Sequence, residues 1–171
     1  MDFSRLICYT VENSMPPQED TLMNRMNIKL QKINDKAVIP TYGTAFSAGA
    51  DLYACIDEAS IVIEPGQTVL VPTGLAMEIP DGYAGLIYAR SGLATRKGIA
   101  PANKVSVIDS DYRGEIKIPL HNHSGSPVTL EAFERIAQII FTPYLMGVFE
   151  ESSSLSDTAR GAGGFGSTGA F

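Results

Sequence analysis

The pattern that most constrains the fold of this chain is the alternation of apolar and polar side chains along short segments. Such alternation places successive side chains on opposite faces and is typical of β-strands with one buried face. It occurs at Ile28 and Leu30, Ile61 and Ile63, Val69 and Val71, Leu75, Met77 and Ile79, and Ile116, Ile118 and Leu120. Turn-forming residues separate these runs, at Pro65-Gly66, Pro80-Asp81-Gly82 and His123-Ser124-Gly125. The sequence therefore predicts an all-β domain over residues 27–149, either a sandwich or a jelly roll.

One segment has a different spacing. Between residues 130 and 141, apolar side chains recur at intervals of three and four, at Leu130, Phe133, Ile136, Ala137 and Ile140. Taken alone, this spacing predicts an amphipathic helix. The β-branched residues Ile136, Ile139 and Ile140 are also compatible with a strand, so the residues alone leave both structures open.

Size and charge exclude several classes of protein. The 171 residues suit one domain with a proper core. The net charge of −6, from 13 basic and 19 acidic residues, does not attract polyanions, so we expect no nucleic-acid partner. The two cysteines, Cys8 and Cys55, provide no disulfide framework. No run approaches the roughly 20 apolar residues of a membrane span, and the first residues lack a signal pattern. We expect a cytoplasmic protein that binds no membrane.

Both ends of the chain differ from the middle. Residues 1–26 have no clear period, and we expect a flexible leader; an early start codon or a partner-binding arm are the alternatives. Residues 150–171 form a Ser-rich linker and then a glycine-rich string at 160–169. So many glycines disfavour regular structure, and a disordered terminus is one interpretation. The Arg, Phe and hydroxyl side chains among these glycines are also what a phosphate-wrapping flap needs.

Two polar segments beside apolar runs are candidate sites. Arg90-Ser91-Gly92 follows an apolar strand predicted at 86–89, with Gly92 allowing a sharp turn; it is a phosphate cradle or a surface turn. Asp109 lies in a polar segment between two apolar runs, which predicts a hairpin tip. Its carboxylate is a candidate general base, and Tyr112 offers a flat face to a sugar or base. An ordinary hairpin with Asp at turn positions is the alternative.

Two further features are weaker signals. Asp51 follows the small residues Ala48-Gly49-Ala50, where it either orients metal-bound water or caps a turn, and the pattern alone favours the cap. His121 and His123 lie two residues apart, so both could face one side of a strand. No third ligand has a suitable spacing, and we expect no zinc site.

Five blocks, taken together and in order, resemble the five motifs of the trimeric dUTPase family. They are AGADLYA at 48–54, RSGLA at 90–94, VIDSDYRGE at 107–115, RIAQIIF at 135–141 and RGAGGFGSTG at 160–169. The resemblance covers about residues 27–171. For the segment with helical spacing it implies a turn at 131–134 and a strand from Arg135, and we adopt that prediction. Two positions depart from the family pattern: Ala89 stands where Pro is usual, and Ser106 stands where Gly is usual.

The resemblance implies a fold, an assembly and an activity. The fold is a β jelly roll that forms a homotrimer, with active sites at subunit interfaces and a flexible C-terminal arm at 150–171. The activity is Mg²⁺-dependent hydrolysis of dUTP to dUMP and pyrophosphate, which limits uracil in DNA and supplies dUMP for dTMP synthesis. Asp109 is then the base that activates water for attack on the α-phosphorus, and Asp51 holds Mg²⁺ through water.

The resemblance also assigns substrate-binding roles. Arg90, Ser91, Gly92 and Gln138 contact phosphate; Asn103 and the backbone of Val107 and Ile108 read uracil; Tyr112 lies under the deoxyribose; Lys117 adds a further contact; Arg160, Gly166, Ser167 and Thr168 hold the γ-phosphate; and Phe165 stacks on uracil. Two alternatives remain. A dCTP deaminase has a similar fold but needs a catalytic Glu near its base pocket, and a nucleotide-binding trimer without turnover would not need Asp51 and Asp109.

Overall fold

The structure is a computed structural model, and it describes residues 25–164. Within them the chain forms the strands β1 (Lys29–Lys32), β2 (Thr41–Tyr42), β3 (Ala50–Tyr53), β4 (Ser60–Ile63), β5 (Thr68–Pro72), β6 (Leu75–Glu78), β7 (Tyr83–Tyr88), β8 (Ile99–Pro101), β9 (Val105–Ile108), β10 (Lys117–Asn122), β11 (Val128–Glu131) and β12 (Arg135–Pro143), and the helix α1 (Ser91–Lys97). The prediction of an all-β fold is confirmed. Within this part of the chain, no helix has the length and apolarity needed to cross a membrane.

The strands form two larger sheets and two strand pairs, and the pairings are antiparallel. The largest sheet has the order β2-β3-β12-β7-β9, and the second has the order β5-β10-β8. The pairs are β1-β6 and β11-β4. One core cluster contains Leu52, Ile87 and Ile139 from the largest sheet together with Ile118 and Leu120 from the second. The two sheets therefore bury their apolar faces against each other, in a jelly-roll-like sandwich.

The predicted alternation decides which side chains enter this core. Along β10, Ile118 and Leu120 are fully buried while their neighbours are more exposed, as period two requires. The next inward position is Asn122, which is also fully buried. Its amide nitrogen donates to the carbonyl oxygens of Ile63 at 2.9 Å and Ser126 at 2.8 Å. These hydrogen bonds offset the desolvation of the amide and tie β10 to β4.

The segment at 130–141 is a turn followed by a strand, as the resemblance implied, and the helix that spacing alone predicted is wrong. Phe133 has φ of 61°, outside the helical region, and the amide of Glu134 donates to the carbonyl of Glu131 at 3.2 Å. Strand β12 carries a bulge between Arg135 and Ala137. A bulge turns two successive side chains inward, so Ile136 and Ala137 are both buried. These two successive buried residues produced the spacing that resembled a helix.

Local sequence signals correctly predicted two turns but wrongly predicted a hairpin. Gly66 and Gly82 have φ of 74° and 82° in the predicted turns. The hairpin predicted around Asp109 is wrong. Strand β9 before it pairs with β7, whereas β10 after it pairs with β5 and β8. The segment at 109–116 therefore crosses from one sheet to the other.

Candidate active site

An open cleft of about 410 Å³, which we call the arginine cleft, lies where β3, β12 and the end of β7 meet. Four of the predicted phosphate-binding residues and the predicted metal-binding carboxylate line it: Arg90, Ser91, Gly92, Gln138 and Asp51. Its volume falls within the range of about 300–1,000 Å³ that is usual for small-molecule sites. Segments far apart in the chain thus form one polar surface.

Asp51 is held by two arginines at this cleft. The Arg90 Nε donates to Asp51 Oδ1 at 2.7 Å, and the Arg135 Nη1 donates to Asp51 Oδ2 at 3.2 Å. Only 10% of the Asp51 side chain is exposed, compared with 51% of Arg135. The turn cap that the local pattern favoured is wrong, because Asp51 lies within β3 and pairs with Gln138 of β12. Sheet pairing and two charge-assisted hydrogen bonds fix its carboxylate.

Gln138 is positioned by a backbone carbonyl and by a glycine. Its amide nitrogen donates to the carbonyl of Ala89 at 2.9 Å, which leaves one N–H for a ligand. Gly49 approaches so closely that an added Cβ would lie 2.5 Å from the Gln138 Oε1. A side chain at Gly49 would therefore require Gln138 to shift.

Ser91 and Gly92 begin the helix α1, which the sequence did not predict. Gly92 lies within α1 and has no left-handed φ, so the prediction of a sharp turn at this glycine is wrong. The helix ends at Lys97, and the Gly98 that follows has φ of 68° and donates from its amide to the carbonyl of Ala94. Helix α1 thus fills the connection between β7 and β8 and presents its first residues to the arginine cleft.

A second open cleft of about 410 Å³, the tyrosine cleft, lies beside the end of β9. Its lining includes the predicted base, sugar and uracil residues Asp109, Tyr112, Val107 and Ile108, together with Lys117. The crossing segment that carries Asp109 is held in shape by Arg113, whose Nη1 donates to the carbonyls of Ser110 at 2.6 Å and Tyr112 at 3.0 Å. Asp109 therefore stands on an ordered segment.

Tyr112 lies folded against its own segment. Its hydroxyl donates to the carbonyl of Glu115 at 3.0 Å, and its ring occupies the space that a side chain at Gly114 would need. The ring is 44% exposed, which leaves a face for a ligand.

Glu115 anchors the same segment to the rest of the fold. Its Oε1 accepts from the Gly74 amide at 2.9 Å, and its Oε2 lies 3.2 Å from the Lys117 Nζ. Glu115 therefore positions Lys117, the residue expected to make a further substrate contact.

The remaining predicted residues lie apart from the lining of both clefts or outside the described residues. Asn103 lies in the connection between β8 and β9, where its amide contacts Ser106. Arg160 lies in the exposed C-terminal segment, and its Nε donates to the carbonyl of Gly163 at 2.8 Å. The residues predicted for the γ-phosphate and for uracil stacking lie outside the described residues: Phe165, Gly166, Ser167 and Thr168. The predicted leader does as well, except for Arg25 and Met26.

The two clefts are well separated within one chain. Asp51, Gln138, Tyr88 and Val105 form one row across the largest sheet, and Asp109 lies four residues beyond Val105. Three strand spacings and four residues along a strand separate Asp51 from Asp109 by roughly 20 Å. Within a single chain, the predicted base Asp109 thus lies far from Asp51, the carboxylate predicted to hold Mg²⁺ through water.

The two histidines form a pair on the second sheet, away from both clefts. Their ring centroids lie 4.4 Å apart in an edge-to-face arrangement, and the His121 Nδ1 hydrogen-bonds Thr68 Oγ1 at 2.8 Å. Across residues 25–164, no three His, Cys, Asp or Glu side chains gather as ligands for a metal ion.

Sequence reasoning missed Arg135, Glu115 and Gly49, which contact or position residues of the two clefts. A signal existed for each, because all three lie within the recognised blocks. Arg135 is a cation that opens an apolar strand, and Glu115 is an acid two residues before Lys117. Their roles depend on Asp51, Gly74 and Gln138, none of which is a sequence neighbour.

Comparison with known proteins agrees with this geometry. The dUTPase family model matches residues 35–169. The deoxyuridine 5'-triphosphate nucleotidohydrolase of Desulfitobacterium hafniense is 47% identical over 150 residues, which are 86% of this chain and 99% of the relative. The protein of the same name from Nautilia profundicola is 49% identical over 144 residues, covering 84% of this chain and 99% of the relative.

Solved structures show the same fold at lower sequence identity. The dUTPase of Staphylococcus bacteriophage 80alpha with dUpNHpp has a TM-score of 0.76 and 24% identity, covering 84% of this chain and 98% of that chain. The dUTPase from phage phi11 of S. aureus has a TM-score of 0.69 and 19% identity, covering 78% of this chain and 100% of that chain. A further structure of the phi11 enzyme describes the coordination of a structural Mg(II) ion. From the family match and the identity to full-length relatives, this chain belongs to the dUTPase family.

Proposed function

We propose that this protein is a dUTP diphosphatase, which hydrolyses dUTP to dUMP and pyrophosphate with Mg²⁺, in the cytoplasm. The single observation that carries the proposal is the pair of clefts: the arginine cleft has arginine, hydroxyl and amide groups of the kind that bind phosphate, and the tyrosine cleft has a carboxylate beside a planar ring. The names of relatives almost half identical to this chain support the same activity. Such an enzyme limits uracil in DNA and supplies dUMP for dTMP synthesis.

In the proposed reaction, Asp109 accepts a proton from water as the water oxygen attacks the α-phosphorus. A new oxygen–phosphorus bond forms, the bond from the α-phosphorus to the bridging oxygen breaks, and pyrophosphate leaves. Arg90, Ser91, Gly92 and Gln138 bind the phosphates. Positioning and charge neutralisation supply most of the rate acceleration in such reactions.

The residues at Asp51 fit a Mg²⁺ ion that is bound through water. Each Asp51 oxygen already accepts a hydrogen bond from an arginine. A carboxylate has about four lone-pair sites, so two remain for water molecules. Direct ligation would compete with both arginines, whereas Mg²⁺ readily keeps its waters. When bound, the ion neutralises charge on the phosphate oxygens.

The nucleoside is proposed to bind at the tyrosine cleft, with its base reaching the connection between β8 and β9 that carries Asn103. The backbone of Val107 and Ile108 and the amide of Asn103 read uracil, and Tyr112 excludes a 2′-hydroxyl. Arg160, Gly166, Ser167 and Thr168 hold the γ-phosphate, and Phe165 covers the base. These last roles assign residues 150–171 to an arm that closes over the nucleotide, beside a core domain at 27–149 and a leader at 1–26.

The homotrimer is proposed because no single chain completes the site. Asp51 and Asp109 lie roughly 20 Å apart across the sheet, by strand spacing and residue rise, so one substrate requires them from different chains. The segment after β12 supports the same assembly: Leu145 and Phe149 are each 98% exposed. Contiguous exposed apolar side chains mark a contact surface. The number of subunits, three, is what the resemblance to the trimeric dUTPase family implies.

The test is pyrophosphate release from each common deoxynucleoside triphosphate, with and without Mg²⁺, together with the mass of the protein in solution. We expect release from dUTP alone, dependent on Mg²⁺, by a trimer. Ammonia release from dCTP would indicate a deaminase, and dUTP binding without release would indicate a regulator. Either result would overturn the proposal.

A further inference from the structure

The connection between β8 and β9, which carries Asn103, is closed by two close backbone hydrogen bonds. The amide of Lys104 donates to the carbonyl of Pro101 at 3.0 Å, and the amide of Val105 donates to the carbonyl of Asn103 at 2.7 Å. Lys104 has φ of 64°, in the left-handed region that side chains other than glycine rarely adopt. This tight turn brings the side chains of Asn103 and Ser106 into contact.

The hydroxyl of Ser106 contacts both polar atoms of the Asn103 amide. Ser106 Oγ accepts from Asn103 Nδ2 at 2.9 Å and lies 3.2 Å from Oδ1, to which it donates. Since one oxygen reaches both atoms, it lies in front of the edge that they share. A hydroxyl both donates and accepts, so the contact is the same for either orientation of the amide.

The shared edge is the part of an Asn side chain that can form two hydrogen bonds to one planar base, as Asn does with adenine. Uracil likewise has a donor, N3–H, beside a carbonyl acceptor. With Ser106 in place, the remaining N–H and the remaining lone pair of Asn103 point in different directions. Only one of them can therefore reach a given base.

We propose that Ser106 is a specificity-determining residue, whose hydroxyl competes with uracil for the two-atom edge of the Asn103 amide. This inference rests on the proposed function. To be read by both amide atoms, the base must displace the hydroxyl; otherwise it is read through a single bond. Gly, which is usual at this position in the family pattern, has no side chain that could compete with uracil. The competition is therefore specific to chains with a hydroxyl at this position.

The experiment compares Ser106→Ala and Ser106→Gly with Ser106→Thr, which keeps the hydroxyl, and with Ser60→Ala, the same change at an exposed residue of β4 outside both clefts. Loss of the solvent-exposed contact between Ser106 and the Asn103 amide predicts a KM for dUTP that falls about two- to tenfold in the Ala and Gly variants, with kcat unchanged. The ratio of kcat/KM for dUTP over dCTP rises in the same variants. Ser106→Thr and Ser60→Ala match the wild type.

Binding of dUMP, measured by calorimetry, tests the same competition without turnover. It tightens in Ser106→Ala, whatever the rate of the chemical step. If the KM for dUTP does not fall and dUMP does not bind more tightly in Ser106→Ala, the role of Ser106 is overturned, while dUTP hydrolysis stands. A wild-type chain that binds dUMP but releases no pyrophosphate from dUTP would instead overturn the proposed function.

Discussion

Arg90 donates a hydrogen bond from Nε to the Oδ1 of Asp51 at 2.7 Å, across 39 residues of sequence. Arg135 completes the arrangement at the other oxygen, but its side chain is 51% exposed whereas that of Arg90 is 26% exposed. The two arginines therefore contribute unequally, because solvent screens the exposed pair.

The first prediction compares Asp51→Asn with Arg135→Gln. The Asp51 variant leaves the partly buried Arg90 without its carboxylate, which lowers the free energy of unfolding by about 1–3 kcal/mol, whereas loss of the exposed Arg135 lowers it by at most about 1 kcal/mol. Asp51→Asn also raises the Mg²⁺ concentration that gives half-maximal rate. Urea unfolding and Mg²⁺ titrations measure both effects, and the opposite order would contradict this account.

The second prediction concerns Asp109 and the shared site. Asp109→Asn keeps dUTP binding but loses about 10²–10⁴-fold in turnover, because an amide is a poor proton acceptor. Co-expressed with the Asp51→Asn chain and assayed at a Mg²⁺ concentration too low for that variant, it regains about a quarter of the wild-type rate, since random symmetric assembly pairs the intact carboxylates at about one site in four. Steady-state rates of the purified mixture and of each single variant measure this. No recovery would mean that both carboxylates act from one chain.

The third prediction concerns the sugar. The Tyr112 ring is held over Gly114, and its hydroxyl bonds the Glu115 carbonyl at 3.0 Å. Tyr112→Ala is expected to lower the ratio of kcat/KM for dUTP to kcat/KM for UTP, because the ring no longer fills the space of a 2′-hydroxyl. Tyr112→Phe keeps the ring and serves as the matched control. Equal kcat/KM ratios for all three proteins would give Tyr112 another role.

The fourth prediction concerns the C-terminal arm. Residues 150–162 are exposed, and deletion of 156–171 is expected to leave a folded trimer that is nearly inactive. The loss appears mainly in kcat, because closure over the nucleotide excludes water, and Phe165→Ala lies between the deletion and the wild type. Mass in solution and steady-state kinetics are the measurements. A truncated enzyme with normal kcat, or one that no longer forms trimers, would contradict the proposed role.

The fifth prediction separates backbone strain from packing at two glycines. Gly66 and Gly74 have similar φ values of 74° and 68°. A Cβ at Gly66 meets nothing within 4 Å, whereas one at Gly74 lies 2.8 Å from the Ala37 Cβ and 2.9 Å from the Cys55 Sγ. Gly66→Ala should therefore cost about 1 kcal/mol from φ alone, and Gly74→Ala about 1–3 kcal/mol more from overpacking. Equal losses in urea unfolding would show that the neighbours move aside freely.

The failed predictions at the site share one cause. The small residues before Asp51 favour a turn, but pairing with β12 places it within a strand. The segment around Asp109 has the composition of a hairpin, but its flanking strands pair in different sheets. In each case the competing partner lies far along the sequence, where local propensity has no influence.

The sequence by itself determined the all-β class, the turns at Gly66 and Gly82, and membership of the family, because alternation, turn chemistry and motif order are properties of neighbouring residues. Only the tertiary structure decided that Arg135 contacts Asp51, 84 residues away, and that Ser106 occupies the edge of the Asn103 amide. It also decided that the arginine cleft and the tyrosine cleft form at different places on the fold. Strand partners and side-chain contacts of this kind depend on which sheets pack together to bury the core, and no local pattern specifies that choice.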